Sequence, residues 1–265
     1  MRVRPPAVAG IFYPADTAAL REQVDRLLAY VAAPALAFPT AAVIAPHAGY
    51  LYSGPVAASA FRAVGASGHP ERVVVIGPAH HVASRGIALP SWQAFRTPLG
   101  DVPVDADVLA SLAELPQVII ADDPHAPEHA LEVELPFLQR VLGEFALVPL
   151  LVGTASAAEV AQALERVWDP ATTLVVVSSD LSHYHDHATA RRLDARTAAR
   201  IEALAAEELG PGDACGYLPV AGLLGLARAR RLGIARLDLR NSGDTAGDRA
   251  RVVGYGAWAL GPAPA

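Results

Sequence analysis

"VVVIGPAHH", residues 73–81, decides the fold. Four β-branched residues run without polar alternation into Gly-Pro and then into two histidines. A strand apolar on both faces belongs in a sheet that is covered on both sides. "AAVIAPHAGYLYSG" (41–54) and "LVVVSSDLSHYHDH" (174–187) repeat the pattern of an apolar run ending in histidine. Further strand-like runs lie at 117–121, 146–152, 234–239 and 251–257. Helical patterns separate them. In "DTAALREQVDRLLAYVA" Asp16 or Thr17 suits an N-cap, and in "SGPVAASAFRAVG" Pro55 suits the first turn and Gly65 the end. Strand and helix alternate along most of the chain. This predicts an α/β fold, one domain over 1–265 with a central, largely parallel sheet flanked by helices. "ALPSWQAFRTPLGDVPVDADVL" (88–109) breaks the alternation and reads as a hairpin or an edge insertion.

The chain has 265 residues, 52% of them hydrophobic, which suffices for a large core. Its apolar runs fall short of the ~18 residues that mark a membrane span. Pro5, Pro6 and Pro14 interrupt any signal-peptide core, so a soluble, cytoplasmic protein is expected. Cys215 is the single cysteine; it excludes an internal disulfide and suits a reducing compartment. A net charge of −6 without one lysine argues against a nucleic-acid surface. No internal repeat or linker is present.

In open α/β sheets ligands bind beyond the carboxyl ends of the strands, where His47, His80, His81 and His183 are expected. Neutral imidazole is the commonest ligand of mid-row divalent metals. Two imidazoles and one anionic group leave positions open for catalysis. His47 and His80 are the preferred pair, against the simpler alternative that His47 is a turn residue capping the next helix. His81 adjoins His80 and should point away from it, so one of the two supports rather than binds. The anionic ligand is a carboxylate or a thiolate. Cys215, in "GPGDACGYLPVAGLLGL" (210–226), lies near a helix start with Asp213 as a candidate N-cap, a setting that favours thiolate. Alternatively it is a buried small hydrophobe. Asp180 and His183 are three residues apart, so the carboxylate can orient the imidazole as a general acid/base. His185 and His187 read as solvated. In "EHALEVELPF" (128–137), His129 and Glu132 share a helix face and can bond each other or steady a metal ligand, whereas Glu134 reads as a surface charge. Walker, G-x-G-x-x-G, G-x-S-x-G and H-E-x-x-H motifs are all missing.

"AGIFYPAD", "IAPHAGYLYSG", "VIGPAHH", "EHALEVELPFLQ", "VVSSDLSHY", "CGYLPVAGLL" and "NSGDTAGD…VVGYGAWAL" occur in this order across nearly the whole chain. Together they resemble the Memo family (mediator of ErbB2-driven cell motility), whose bacterial and archaeal branch is called AmmeMemoRadiSam system protein B. The resemblance implies a fold similar to class III extradiol, LigB-type dioxygenases, which hold non-haem iron(II) with two histidines and a carboxylate. It implies His47 and His80 as metal ligands, Cys215 as the third, and His183 as the acid/base. A thiolate in place of the carboxylate departs from the dioxygenase pattern and admits copper or zinc beside iron(II). The resemblance also implies AMMECR1-like and radical SAM protein partners. Three functions follow as expectations: a non-haem iron redox enzyme, a binding protein that receives a small molecule or peptide in the same pocket, and a zinc-dependent hydrolase. Neither nucleic acid nor membrane is an expected partner.

Overall fold

The computed structural model describes residues 2–263. The first half holds β1 (Val3–Arg4), α1 (Thr17–Tyr30), β2 (Ala42–Ala45), α2 (Gly54–Gly65), β3 (Arg72–Pro78), β4 (Ile87–Leu89), β5 (Ala94–Thr97), β6 (Gly100–Pro103), α3 (Ala106–Leu112) and β7 (Val118–Ile120). The second holds α4 (Leu135–Leu142), β8 (Ala146–Val152), α5 (Ala157–Val167), β9 (Thr173–Ser178), β10 (His183–His185), α6 (His187–Glu202), α7 (Tyr217–Ala229), β11 (Leu232–Asn241), α8 (Ser242–Thr245) and β12 (Val252–Pro262).

A nine-stranded sheet runs in the order β10-β12-β2-β9-β3-β8-β4-β7, with β11 also paired to β12. Its centre, β2-β9-β3-β8, is parallel throughout. Side chains alternate between two apolar layers: Val73 and Val75 face one, Val74 and Ile76 the other. Both layers are buried and apolar, which is why these strands lack polar alternation. Helices α1, α2 and α4 cover the first layer; α5, α6 and α7 cover the second. The flanks differ from the parallel centre. β12 runs antiparallel to β2, β10 and β11, and β4 antiparallel to β8. The link from β11 to β12 carries only the short α8. A parallel crossover needs a dozen or more residues, usually with a full helix, so this link turns the chain back on itself.

The irregular 88–109 stretch contains the β5–β6 hairpin, which joins β1 in a separate three-stranded sheet. Asp16 caps α1, its Oδ1 accepting from the Ala19 N–H at 2.9 Å. Among the described residues no helix is long and apolar enough to cross a membrane.

Candidate metal centre

Three neighbouring parallel strands deliver the polar groups. β2 ends just before His47, β9 in Ser178 followed by Asp180, and β3 just before His80. The segment 128–134 lies against these ends and brings His129. The ring centroids of His47 and His80 are 5.1 Å apart, those of His47 and His129 5.4 Å, and those of His80 and His129 4.8 Å. One ring nitrogen from each of the three falls within 4.8 Å of the other two.

The Nδ1 atoms are engaged from behind. His47 Nδ1 meets Ser178 Oγ at 2.7 Å, and His80 Nδ1 meets Glu128 Oε1 at 2.9 Å. His129 Nδ1 lies 3.3 Å from both Glu128 Oε1 and His81 Nε2. Nε2 is therefore the nitrogen that His47 and His80 have left for a metal. A carboxylate or hydroxyl behind the imidazole is the usual device that fixes a metal-binding ring. His81, Glu128 and His129 also converge within 4.8 Å. Glu128 Oε1, however, is already taken up by His80 Nδ1 and by the backbone N–H groups of His129 and Ala130. That second group reads as a buttress.

Cys215 enters from the other side. Its N–H donates to the Asp180 carbonyl at 3.1 Å, and the Asp180 N–H donates to Sγ at 3.3 Å. The Gly216 N–H donates to Ser179 Oγ at 2.9 Å. This stitching needs glycine at 216, because a Cβ there would stand 2.7 Å from Ser179 Cβ. Sγ comes to 3.4 Å from His47 Nε2. Two ligands of one tetrahedral ion, with bonds of about 2.05 Å to nitrogen and 2.3 Å to sulfur, stand roughly 3.5 Å apart. The pair fits a shared ion, although Sγ lies outside the compact three-histidine group.

Four expectations are corrected. Asp213 does not cap α7, whose N-cap is Gly216; its carboxylate takes Arg200, Thr197 and the Gly210 N–H. Glu132 does not touch His129. It is fully buried and accepts from Arg4 Nη1 at 2.6 Å, from the Ala7 and Val8 N–H groups, and from the Tyr13 hydroxyl. Glu128, one residue before His129, does the work expected of it. Glu134 is buried rather than a surface charge, its Oε1 2.8 Å from Ser178 Oγ. The segment turns in a short 3₁₀ stretch, Glu132–Glu134, before α4, and residues 130–138 are buried throughout, so no face of it is left for solvent. Finally, Asp180 makes no hydrogen bond to His183 among the described residues; its Oδ1 accepts from the His47 N–H at 2.9 Å.

His183 opens β10 beside β12, where a bulge puts Tyr184 at φ 63°. Its charge acts on Asp180 and on His47. His185 is exposed, and His187 is paired with Asp244 at 2.6 Å. Phe12, from the segment tied down by Glu132, packs on His129 with ring centroids 4.9 Å apart.

Burial, then the neighbouring His80, lowers the His47 pKa to about 3, and burial followed by His47 lowers His129 to about 3. Both rings are neutral at physiological pH, as a metal requires. Burial acts to raise Glu128, but hydrogen bonds from His80 and the backbone outweigh it and hold the carboxyl at about 2. Burial raises Asp180 to about 6. Burial, then the Asp180 carboxylate, pushes the Cys215 thiol up to about 12. The helix start does not make it a thiolate; a bound cation is what would remove its proton.

The chain is thus an α/β protein with an imidazole-rich cluster and one thiol at the carboxyl edge of its parallel strands. Residues 4–259 match the family model described as "Memo-like protein". A MEMO1 family protein of Methanopyrus kandleri is 37% identical, covering 96% of this chain and 97% of the relative. One of Aquifex aeolicus is 36% identical, covering 96% and 98%. The chain belongs to the Memo-like family. In fold alone it is similar to the crystal structure of uncharacterized protein JW3007 from Escherichia coli K12, with a TM-score of 0.52 and 15% identity over 81% of this chain and 98% of that one.

Proposed function

We propose that the protein is a metal-dependent redox enzyme of the non-haem iron type, holding one ion between His47, His80 and Cys215, with His129 facing it. The observation that carries this reading is the buttressed histidine pair: Nδ1 of His47 and of His80 is engaged from behind, and Sγ stands at ligand spacing from His47 Nε2. The donor set suits iron(II), and its sulfur also admits copper or zinc. When bound, the ion would supply Lewis-acid and one-electron chemistry. The chain's own part is to orient the imidazoles, to shield them beneath Phe12, and to move a proton at His183. Asp180 holds the 47–48 turn and, through its backbone, Cys215. A cytoplasmic setting would keep Cys215 reduced.

A second reading, a binding protein for a small molecule or peptide, draws on the loops around the cluster. Ile11, Leu51, Tyr52 and Tyr184 are large, apolar and exposed; Ile11 adjoins Phe12 and Tyr184 adjoins His183 in sequence, and Leu51 and Tyr52 lie on the loop that follows His47. AMMECR1-like or radical SAM proteins are partner candidates under either reading.

Elemental analysis of protein purified without added metal, with an oxygen-electrode assay, separates the readings. About one iron per chain with oxygen uptake supports the enzyme. Zinc without redox activity supports a hydrolase and overturns the redox assignment. A site that takes up no metal on titration overturns both and leaves the binding protein.

A further inference from the structure

Ser178 Oγ stands at a junction. It lies 2.7 Å from His47 Nδ1, 2.6 Å from the Ala130 carbonyl oxygen and 2.8 Å from Glu134 Oε1. All are hydrogen-bond distances, but a hydroxyl owns one proton and two accepting lone pairs. A carbonyl oxygen cannot donate, so the Ser178 proton must point at Ala130. If it pointed at His47 or at an ionised Glu134, the Ala130 oxygen would face an Oγ lone pair at 2.6 Å. Once that proton is placed, the other two neighbours must both donate to Oγ. His47 can do so only from Nδ1–H, and Glu134 only as a carboxylic acid.

We propose that Glu134 is a neutral acid and that, with Ser178, it locks His47 in the tautomer that presents a bare Nε2 to the metal. This rests on the metal reading for its purpose, and on the junction's geometry for its proton positions. The surroundings of Glu134 agree. The residue is fully buried, and its Oε2 has no hydrogen-bond partner among the described residues. An ionised oxygen left bare in an apolar interior is costly. Burial, aided by the Asp180 charge, also holds the Glu134 carboxyl well above its ordinary range. Close packing keeps the junction tight. Gly77 lies beneath it, where a Cβ would come to 3.2 Å from Ala130 Cβ and 3.4 Å from Ser178 Cβ. Glu134 and Ser178 are positioning residues in this scheme, acting on the metal only through His47.

Two measurements test it. The first uses metal-free protein at neutral pH. Nitrogen-15 histidine spectra should place the His47 proton on Nδ1. An infrared difference between wild type and Glu134→Gln should contain the carbonyl stretch of a protonated carboxyl. A His47 proton on Nε2, or no such band in the wild type, overturns the proposal. The second is zinc affinity. Gln keeps a donor toward Ser178 Oγ, so Glu134→Gln should bind zinc within about threefold of wild type, while Ser178→Ala should bind roughly 10–100-fold more weakly. If Glu134→Gln is as weak as Ser178→Ala, Glu134 acts as a charge and the neutral-acid scheme is wrong. If the wild type itself binds no metal, the metal reading fails alone, and the metal-free spectra still decide the proton positions. The wild-type spectra also decide if a variant does not fold.

Discussion

Replacing Glu128 by Gln strikes the group that holds the 80 and 128–130 segments together. The wild-type carboxylate accepts from the His80 N–H at 2.6 Å, from His80 Nδ1 at 2.9 Å, and from the N–H groups of His129 and Ala130 at 3.0 Å each. These hydrogen bonds hold its pKa at about 2 against an ordinary 4.5, in spite of burial. At 1.36 kcal/mol per pH unit, the gap makes the charged form worth roughly 3 kcal/mol to the folded state. An amide loses the charge and turns an NH₂ toward one of the donors. The variant should therefore be less stable by about 3 kcal/mol at pH 7. The sign of the pH dependence follows from the lowered pKa. The stabilisation is complete above the unfolded value of 4.5 and drains away as pH falls toward 2. By pH 3.5 the unfolded chain's carboxyl is mostly protonated and the folded one is not, which removes roughly 1 kcal/mol. Urea unfolding of metal-stripped wild type and variant at both pH values measures the difference directly. It should narrow from about 3 to about 2 kcal/mol on acidification. A difference below about 1 kcal/mol at pH 7, or one that widens in acid, refutes the reasoning.

Cys215→Ser should stay folded and bind zinc or iron(II) far more weakly. Wild-type affinity should rise about tenfold per pH unit from roughly pH 7 to 9, because one thiol proton is displaced, and the serine variant should lose that slope. An identical slope in both would remove Cys215 from the ligand set. His183→Ala should retain the wild-type metal content while any turnover falls roughly 10²-fold or more; a folded variant that purifies without metal contradicts a proton-transfer role. Arg4→Met leaves the buried Glu132 without its cation and should cost about 3–5 kcal/mol by thermal or urea unfolding. A cost near zero would mean that the backbone N–H groups of Ala7 and Val8 satisfy Glu132 by themselves.

The strands were legible because their signal is local. The runs at 73–77, 146–152 and 174–179 lie within one residue of the strands at either end, since β-branched apolar residues buried on both faces leave no other reading. The histidine endings pointed to one sheet edge for the same reason. The hidden parts are those whose partners lie far along the chain. Glu128 meets His80 across 48 residues, and Ser178 meets His47 across 131. No periodicity encodes such a pairing. Helical spacing from residue 129 misplaces Glu132 and Glu134, because α4 starts only at Leu135. Glu134 also defeats the rule that acids lie outside, and the proton count at Ser178 gives the reason for the exception. The helix start beside Cys215 is legible in the sequence, but burial governs its thiol more than the helix does.

The pairing of β12 with β2, β10 and β11 has a consequence for the nascent chain. β2, β9, β3 and β8 pair with one another, and the residues from 42 to 215 already include every imidazole and the thiol of the candidate centre. His183 depends on something translated later. Among the described residues β10 pairs only with β12, where His183 sits opposite Val253. A ribosome-bound chain can therefore bring the proposed metal ligands together while His183, the proposed acid/base, still hangs from an unpaired segment. On the proposed function, metal capture and chemical competence would be separated in time, with the second waiting for β12.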